Sequence, residues 1–208
     1  MNFKKIILIF LVSASFNYVN GQNYNFDTYY NYHDSASGDE YFVLSNSTQS
    51  THTLIGKYQE VNPTIGTLRL SNSNLWFSFL VENLYDLRYL AQDSIKLNFE
   101  NDYEYSCKEI LIDENHLKLE IKFFKIKKKS KKLISESYII YEKSNDFKFS
   151  LLAIDYFTHC LITRTEYKES NFGYPIEIFT KKWRGKKLKL KLKSKLKIDK
   201  SVNVTVND

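Results

Sequence analysis

The chain is poor in glycine and proline. Its 208 residues include six glycines and two prolines, whereas average usage, roughly 7% glycine and 5% proline, would give about 25 such residues. Phosphate-binding loops need closely spaced glycines, because glycine adopts positive φ angles and lets the backbone approach a ligand. The two nearest glycines, Gly56 and Gly66, are too far apart for a Walker or Rossmann loop. These loops, and the GxSxG motif of hydrolases, are therefore excluded.

Other catalytic motifs are missing as well. None of the four histidines lies in an HExxH motif or at another familiar metal-binding spacing. A glycoside hydrolase needs two acids that face one groove, and nothing in the sequence selects two of the 24 acidic residues. The sequence therefore predicts no cofactor and no metal, and it favours a protein that is not an enzyme.

The chain also lacks a hydrophobic run long enough to span a bilayer. Lys4 and Lys5 precede a short apolar run, residues 6–12, which is the length of a signal-peptide core. Val19 and Gly21 suit positions −3 and −1 of a cleavage site before Gln22. We expect a signal peptide over residues 1–21 and export to the periplasm, the outer surface or the exterior. This leader resembles those of exported proteins of Gram-negative bacteria with AT-rich genomes; the alternative is a buried helix.

The net charge of +6 is unevenly distributed along the chain. Residues 22–100 contain four basic and nine acidic residues, so the excess of positive charge lies in the remainder. Net charge indicates partners and solubility more than fold. The asymmetry therefore suggests contact with an anion near the C-terminal half.

Apolar residues recur mostly at every second position, which is the period of a half-buried strand. Residues 117–126 and 133–141 alternate in this way around a basic turn, and Asn, Ser and Asp clusters separate most other strand candidates. Such a pattern predicts an all-β, antiparallel meander. We expect residues 22–208 to form one domain, a two-sheet β-sandwich or alternatively a closed β-barrel. Leucines three apart predict one short helix near residues 84–92.

The strongest local pattern is the basic C-terminal strand at residues 187–198. It predicts one face of Leu188, Leu190, Leu192, Leu196 and Ile198 and an opposite face of lysines. Such a row would bind an anionic envelope polymer or a lipid headgroup, with nucleic acid disfavoured for an exported protein. The alternative is that the lysines protect an exposed edge strand from aggregation, or keep a strand with one solvent face soluble. The candidate binding residues are Arg184, Lys187, Lys189, Lys191, Lys193, Lys195 and Lys197.

Four further groups are weaker candidates. Asp155, His159 and Cys160 stand close together, but on a strand Cys160 would face away from His159. Cys107 and Cys160 would form a disulfide in an oxidising compartment if their Cα atoms lie within about 7 Å; otherwise they are buried free thiols. An acidic turn has side chains that could bind a hard cation: His33, Asp34, Asp39 and Glu40. A group of tyrosines would either stack on sugar rings or fill the core: Tyr24, Tyr29, Tyr30 and Tyr32.

Together these features favour an exported, non-enzymatic binding or structural module of the bacterial envelope or exterior. The alternative is an exported hydrolase with an unrecognised site. A second alternative is an outer-membrane β-barrel, which the lysine-bearing faces and the C-terminal residues 202–208, without an aromatic end, disfavour.

Overall fold

A computed structural model describes most of the chain. The described residues are 21–48, 51–58, 64–70, 75–83, 86–94, 103–127, 130–147, 149–158, 173–182, 185 and 187–205. They are mostly β-strand, which confirms the all-β prediction. The strands are β1 Gly21–Asp34, β2 Glu40–Ser45, β3 His52–Tyr58, β4 Thr64–Leu70, β5 Leu75–Asn83, β6 Asp86–Ser94, β7 Tyr103–Leu111, β8 His116–Lys127, β9 Ser130–Glu142, β10 Tyr174–Lys182 and β11 Lys187–Thr205. The predicted signal peptide lies outside these residues except for Gly21.

The described strands form a single antiparallel sheet. Its order is β6-β5-β4-β3-β2-β1-β11-β10-β9-β8-β7, so two meanders meet where β1 pairs with β11. The predicted hairpin of residues 117–126 and 133–141 is the β8–β9 pair. Within the described ranges the end strands β6 and β7 do not pair with each other, so the sheet that these strands form is open.

Two hydrophobic clusters cover opposite faces of the sheet. On β2, Val43 belongs to the first cluster and its neighbour Leu44 to the second, as expected for residues that alternate between faces. The first cluster also contains helix α1, Leu151–Thr158, and residues of β8 to β11. The second cluster is built from β1 to β5 with Val202 of β11.

The prediction of a short helix near residues 84–92 is wrong. Strand β6 occupies this region and pairs with β5 along most of its length. The pairing gives the backbone hydrogen-bond partners along a strand edge, whereas a nine-residue helix with one leucine stripe is marginal alone. The one helix among the described residues is α1, which has eight residues, and no helix in this part of the chain is long and apolar enough to cross a membrane.

Helix α1 begins at a serine that satisfies a free backbone amide. The Leu152 amide donates to Ser150 Oγ at 3.2 Å, which is an N-cap bond. Ala153, Ile154 and Phe157 are spaced three and four apart and are buried in the first cluster. The helix therefore covers the sheet with one apolar stripe.

Close packing in the second cluster depends on a glycine. Gly56 of β3 lies directly opposite Phe42 of β2, and a Cβ atom at residue 56 would overlap the Phe42 ring. Both residues are fully or almost fully buried. The glycine therefore provides the space in which the aromatic ring lies.

We predict that Gly56→Ala lowers the free energy of unfolding by about 1–3 kcal/mol, since the added methyl overpacks the core. Phe42→Leu removes the ring edge, so the double variant is expected to lose less than the two single losses together. Urea unfolding of the two single variants and the double variant measures this coupling. Additive losses would show that the ring and the glycine do not depend on each other.

Candidate functional site

The predicted lysines lie on two faces of the sheet, which corrects the single lysine face expected from the sequence. Strand β11 contains an extra residue, because Tyr32 pairs with Leu192 but the preceding Asn31 pairs with Ser194. Such a bulge inverts the alternation of side chains beyond it. Before the bulge, Leu188 and Leu192 accordingly pack on the first cluster and Leu190 is buried in it. After the bulge, Ile198 packs on the second cluster and Leu196 is exposed.

Lysines from the bulge onward contact other side chains of the protein. Lys193 forms an ion pair with Glu40 at 2.5 Å. The Lys195 ammonium lies 3.5 Å from the centroid of the Tyr174 ring and 3.8 Å from Glu142. Lys197 lies 4.9 Å from the centroid of the Phe147 ring. These three residues therefore have structural partners.

Lysines before the bulge form a different surface together with β10. Lys187 lies directly opposite Lys181, Lys189 lies opposite Phe179, and Lys191 lies opposite Glu177. Directly opposite residues of an antiparallel pair share a face, and so do alternate residues of one strand. Among the described residues none of these four lysines forms an ion pair. We call Lys181, Lys187, Lys189 and Lys191 the lysine face.

The lysine face includes a repulsive contact. Like charges directly opposite each other on neighbouring strands are destabilising, and Lys181 and Lys187 are such a pair. Both side chains are exposed, so water weakens the repulsion without removing it. A bound anion would relieve it.

Charges on the neighbouring strands of the same face are balanced. Lys118 and Glu120 form an ion pair at 2.6 Å, and Lys122 and Glu136 form one at 3.7 Å. On this face the excess of positive charge therefore lies on β10 and β11, although Lys181 has Glu136 opposite it on β9 and Lys191 has Glu177 opposite it on β10.

An aromatic pair borders the lysine face. Phe179 stacks on Tyr138 with ring centroids 4.9 Å apart. The Tyr138 hydroxyl donates to Glu177 at 2.7 Å. Partial burial and this hydrogen bond raise the pKa of Tyr138 to about 12, so the phenol stays neutral at ordinary pH. Half-buried rings beside free ammonium groups offer both a stacking surface and charge.

Asp34 anchors the beginning of β11. Its buried carboxylate accepts hydrogen bonds from the Lys189 amide at 2.9 Å, the Ala36 amide at 3.0 Å and the Ser37 hydroxyl at 2.7 Å. The turn after β1 closes through Gly38, whose φ is 81°. Asp34 therefore fixes the strand that presents Lys187, Lys189 and Lys191.

Three of the four predicted cation ligands, Asp34, Asp39 and Glu40, have partners within the protein. Asp39 bonds Lys57 at 2.8 Å and Glu40 bonds Lys193, and both contacts hold the pKa of the carboxylate below its usual value. Within the described residues no three His, Cys, Asp or Glu side chains form a metal-binding group. The contacts with Lys57 and Lys193 connect the acidic turn to β3 and β11.

The remaining candidates are dispersed. Asp155 is buried in helix α1, not on the strand expected from the sequence. Cys107 is exposed on β7, so the alternative of a buried thiol is wrong for this residue. Arg184, His159 and Cys160 lie outside the described residues, so the disulfide stays a prediction. Tyr24, Tyr29, Tyr30 and Tyr32 are all buried, which favours the core interpretation over sugar stacking.

No protein-family model matches the sequence, and no curated protein matches it. Function is therefore inferred from the surface chemistry of the chain itself.

We predict that Asp34→Asn lowers the free energy of unfolding by about 1–3 kcal/mol, because an amide offers one acceptor oxygen where the carboxylate offers two. The matched control is Asp113→Asn, whose exposed side chain accepts from backbone amides of another turn. Urea unfolding should show a smaller loss for the control. Equal losses would contradict the anchoring role of Asp34.

Proposed function

We propose that this protein is a non-enzymatic, exported binding module of the bacterial envelope or exterior, and that its lysine face binds an anionic polymer. The observation that carries the proposal is the set of four lysines on β10 and β11 that form no ion pair within the described residues, with Lys181 directly opposite Lys187. Export is supported by the leader-like residues 1–21.

Edge protection does not explain these lysines. Lysines protect a sheet from aggregation when they lie on its edge strands. Strand β11 lies between β1 and β10, and β10 lies between β11 and β9. The end strands β6 and β7 have one basic residue each, Arg88 and Lys108. The positive charge is thus concentrated where the sheet needs no edge protection.

The spacing of the lysines suits a ligand with repeated charges. Alternate residues of a strand are separated by roughly 7 Å, so Lys187, Lys189 and Lys191 form a regular row. Lys181 adds a fourth ammonium group on the neighbouring strand β10. A linear polyanion can contact several of these ammonium groups at once and gains affinity from counterion release.

The aromatic pair favours an acidic polysaccharide among such polymers. Phe179 lies opposite Lys189, and its ring stacks on Tyr138. Sugar rings pack their apolar faces on aromatic rings, whereas their carboxylates pair with ammonium groups. The lysine face offers both kinds of contact side by side.

We predict that the protein binds polygalacturonate, an acidic polysaccharide, and that affinity falls as salt is added. Changing Lys187, Lys189 and Lys191 to Gln should lower affinity at least tenfold. It should also reduce the slope of log affinity against log salt by about two, since three charge contacts are lost. Isothermal titration calorimetry at several salt concentrations measures both quantities.

The matched control changes Lys57, Lys131 and Lys143 to Gln. It removes the same charge, but these lysines contact Asp39, Glu104 and the Glu114 carbonyl, away from β10 and β11. Equal losses in both variants would overturn the proposal, because net charge alone would then explain binding. Binding only to phosphatidylglycerol vesicles, or only to single-stranded DNA, would overturn the polysaccharide assignment.

A further inference from the structure

The two end strands of the sheet differ in regularity. Strand β6 pairs with β5 through two register shifts, whereas β7 pairs with β8 in nine consecutive pairs without any shift. Bulges, prolines and short length are the usual means of preventing edge-to-edge pairing. Strand β7 has nine residues, no proline and no bulge. Among the described residues no strand covers its outer edge.

The sequence of β7 suits pairing with a second copy of itself. In a two-fold antiparallel pair with full overlap, the middle residue, Cys107, lies opposite Cys107 of the second copy. Tyr103 then lies opposite Leu111, and Ser106 lies opposite Lys108. No two like charges are directly opposite each other, and Glu104 is diagonal to Lys108 of the other copy. A pair centred one residue later would place Lys108 opposite Lys108.

The surroundings of β7 point in the same direction. Leu111 is 64% exposed and the adjacent Ile112 is 50% exposed. Cys107, at the proposed two-fold axis, is exposed as well. Apolar groups at an unpaired, regular strand end are costly to leave in water, and pairing with another strand would cover part of them.

We propose that the β7 edge is a homodimer interface at which two copies of the chain pair antiparallel about Cys107. Both copies then present the same face of the sheet on the same side. A backbone-mediated contact of this size is weak, so the dimer forms reversibly with concentration. The inference does not depend on polymer binding, although two lysine faces on one side would increase avidity for a polymer.

The first test changes the charge opposite Lys108. Ser106 is exposed, so Ser106→Lys and Ser106→Glu alter the edge without removing core packing. Sedimentation equilibrium under reducing conditions should show a monomer–dimer equilibrium for the unmodified protein. We expect dimerisation at least fivefold weaker for Ser106→Lys and stronger for Ser106→Glu, because each dimer contains two such contacts. Urea unfolding of each variant checks that the monomer remains folded, since residue 106 also lies opposite Lys122 on β8.

The second test measures the register of pairing. In a Cys160→Ser background Cys107 is the single thiol, and oxidised glutathione serves as the oxidant. Two Cys107 thiols lose two electrons and two protons to form a disulfide, and oxidised glutathione is reduced to two molecules of glutathione. The matched control moves the thiol by one residue, with Cys107→Ser and Ser106→Cys. Its two thiols lie off the axis, with Cα atoms further apart than about 7 Å, so the disulfide dimer should form at least tenfold more slowly.

A protein that stays monomeric at every concentration would overturn the proposal. So would a dimer that neither Ser106 variant affects, or equal rates of cross-linking for the thiols at residues 106 and 107.

Discussion

The pairing of β1 with β11 is the contact on which the rest of the structure depends. It joins Gly21 to Thr205 at one end and Asp34 to Leu190 at the other, and it links two meanders that share no other strand pair among the described residues. The first cluster needs this contact, because it combines Tyr30 of β1 with residues of β8, β9 and α1. Since the partners are separated by most of the chain, this fold requires long-range pairing, which slows folding.

The same pairing decides on which face of the sheet each lysine of β11 lies. One extra residue in β11 places Lys195 over the Tyr174 ring, whereas Lys187, Lys189 and Lys191 stay on the opposite face. Asp34 contacts the backbone of β11 at Lys189, just before this inversion. A single local irregularity thus separates lysines that stabilise the protein from lysines that have no partner in the described residues.

The sequence predicts the fold well where one face of a strand is buried and less well elsewhere. Strand β8 alternates clearly because Leu117 and Leu119 are buried between exposed or half-buried residues. Strand β1 lacks this pattern because neighbours such as Tyr29 and Tyr30 are buried on opposite faces. The bulge in β11 is hard to predict, because lysines continue at every second position through it. Ser194, which stands where the pattern requires an apolar residue, is the one sign of it in the sequence. The position of Lys181 beside Lys187 depends on the register of the β10–β11 pair, which the spacing of residues in the sequence does not define.

The positions of the charges separate solubility from recognition. A solvent-facing strand stays soluble when its charges are balanced, and β8 and β9 achieve this with Lys118–Glu120 and Lys122–Glu136. Strands β10 and β11 have Lys181 opposite Lys187, and a like-charge pair also occurs on β8 and β9, where Lys125 lies opposite Lys132. The acidic residues opposite Lys181 and Lys191 are Glu136 and Glu177, which already contact Lys122 and Tyr138. Protection of an edge cannot be the reason, because both strands are internal to the sheet. The proposal of polymer binding therefore rests on the position of this lysine surface inside the sheet and beside the stacked pair of Phe179 and Tyr138.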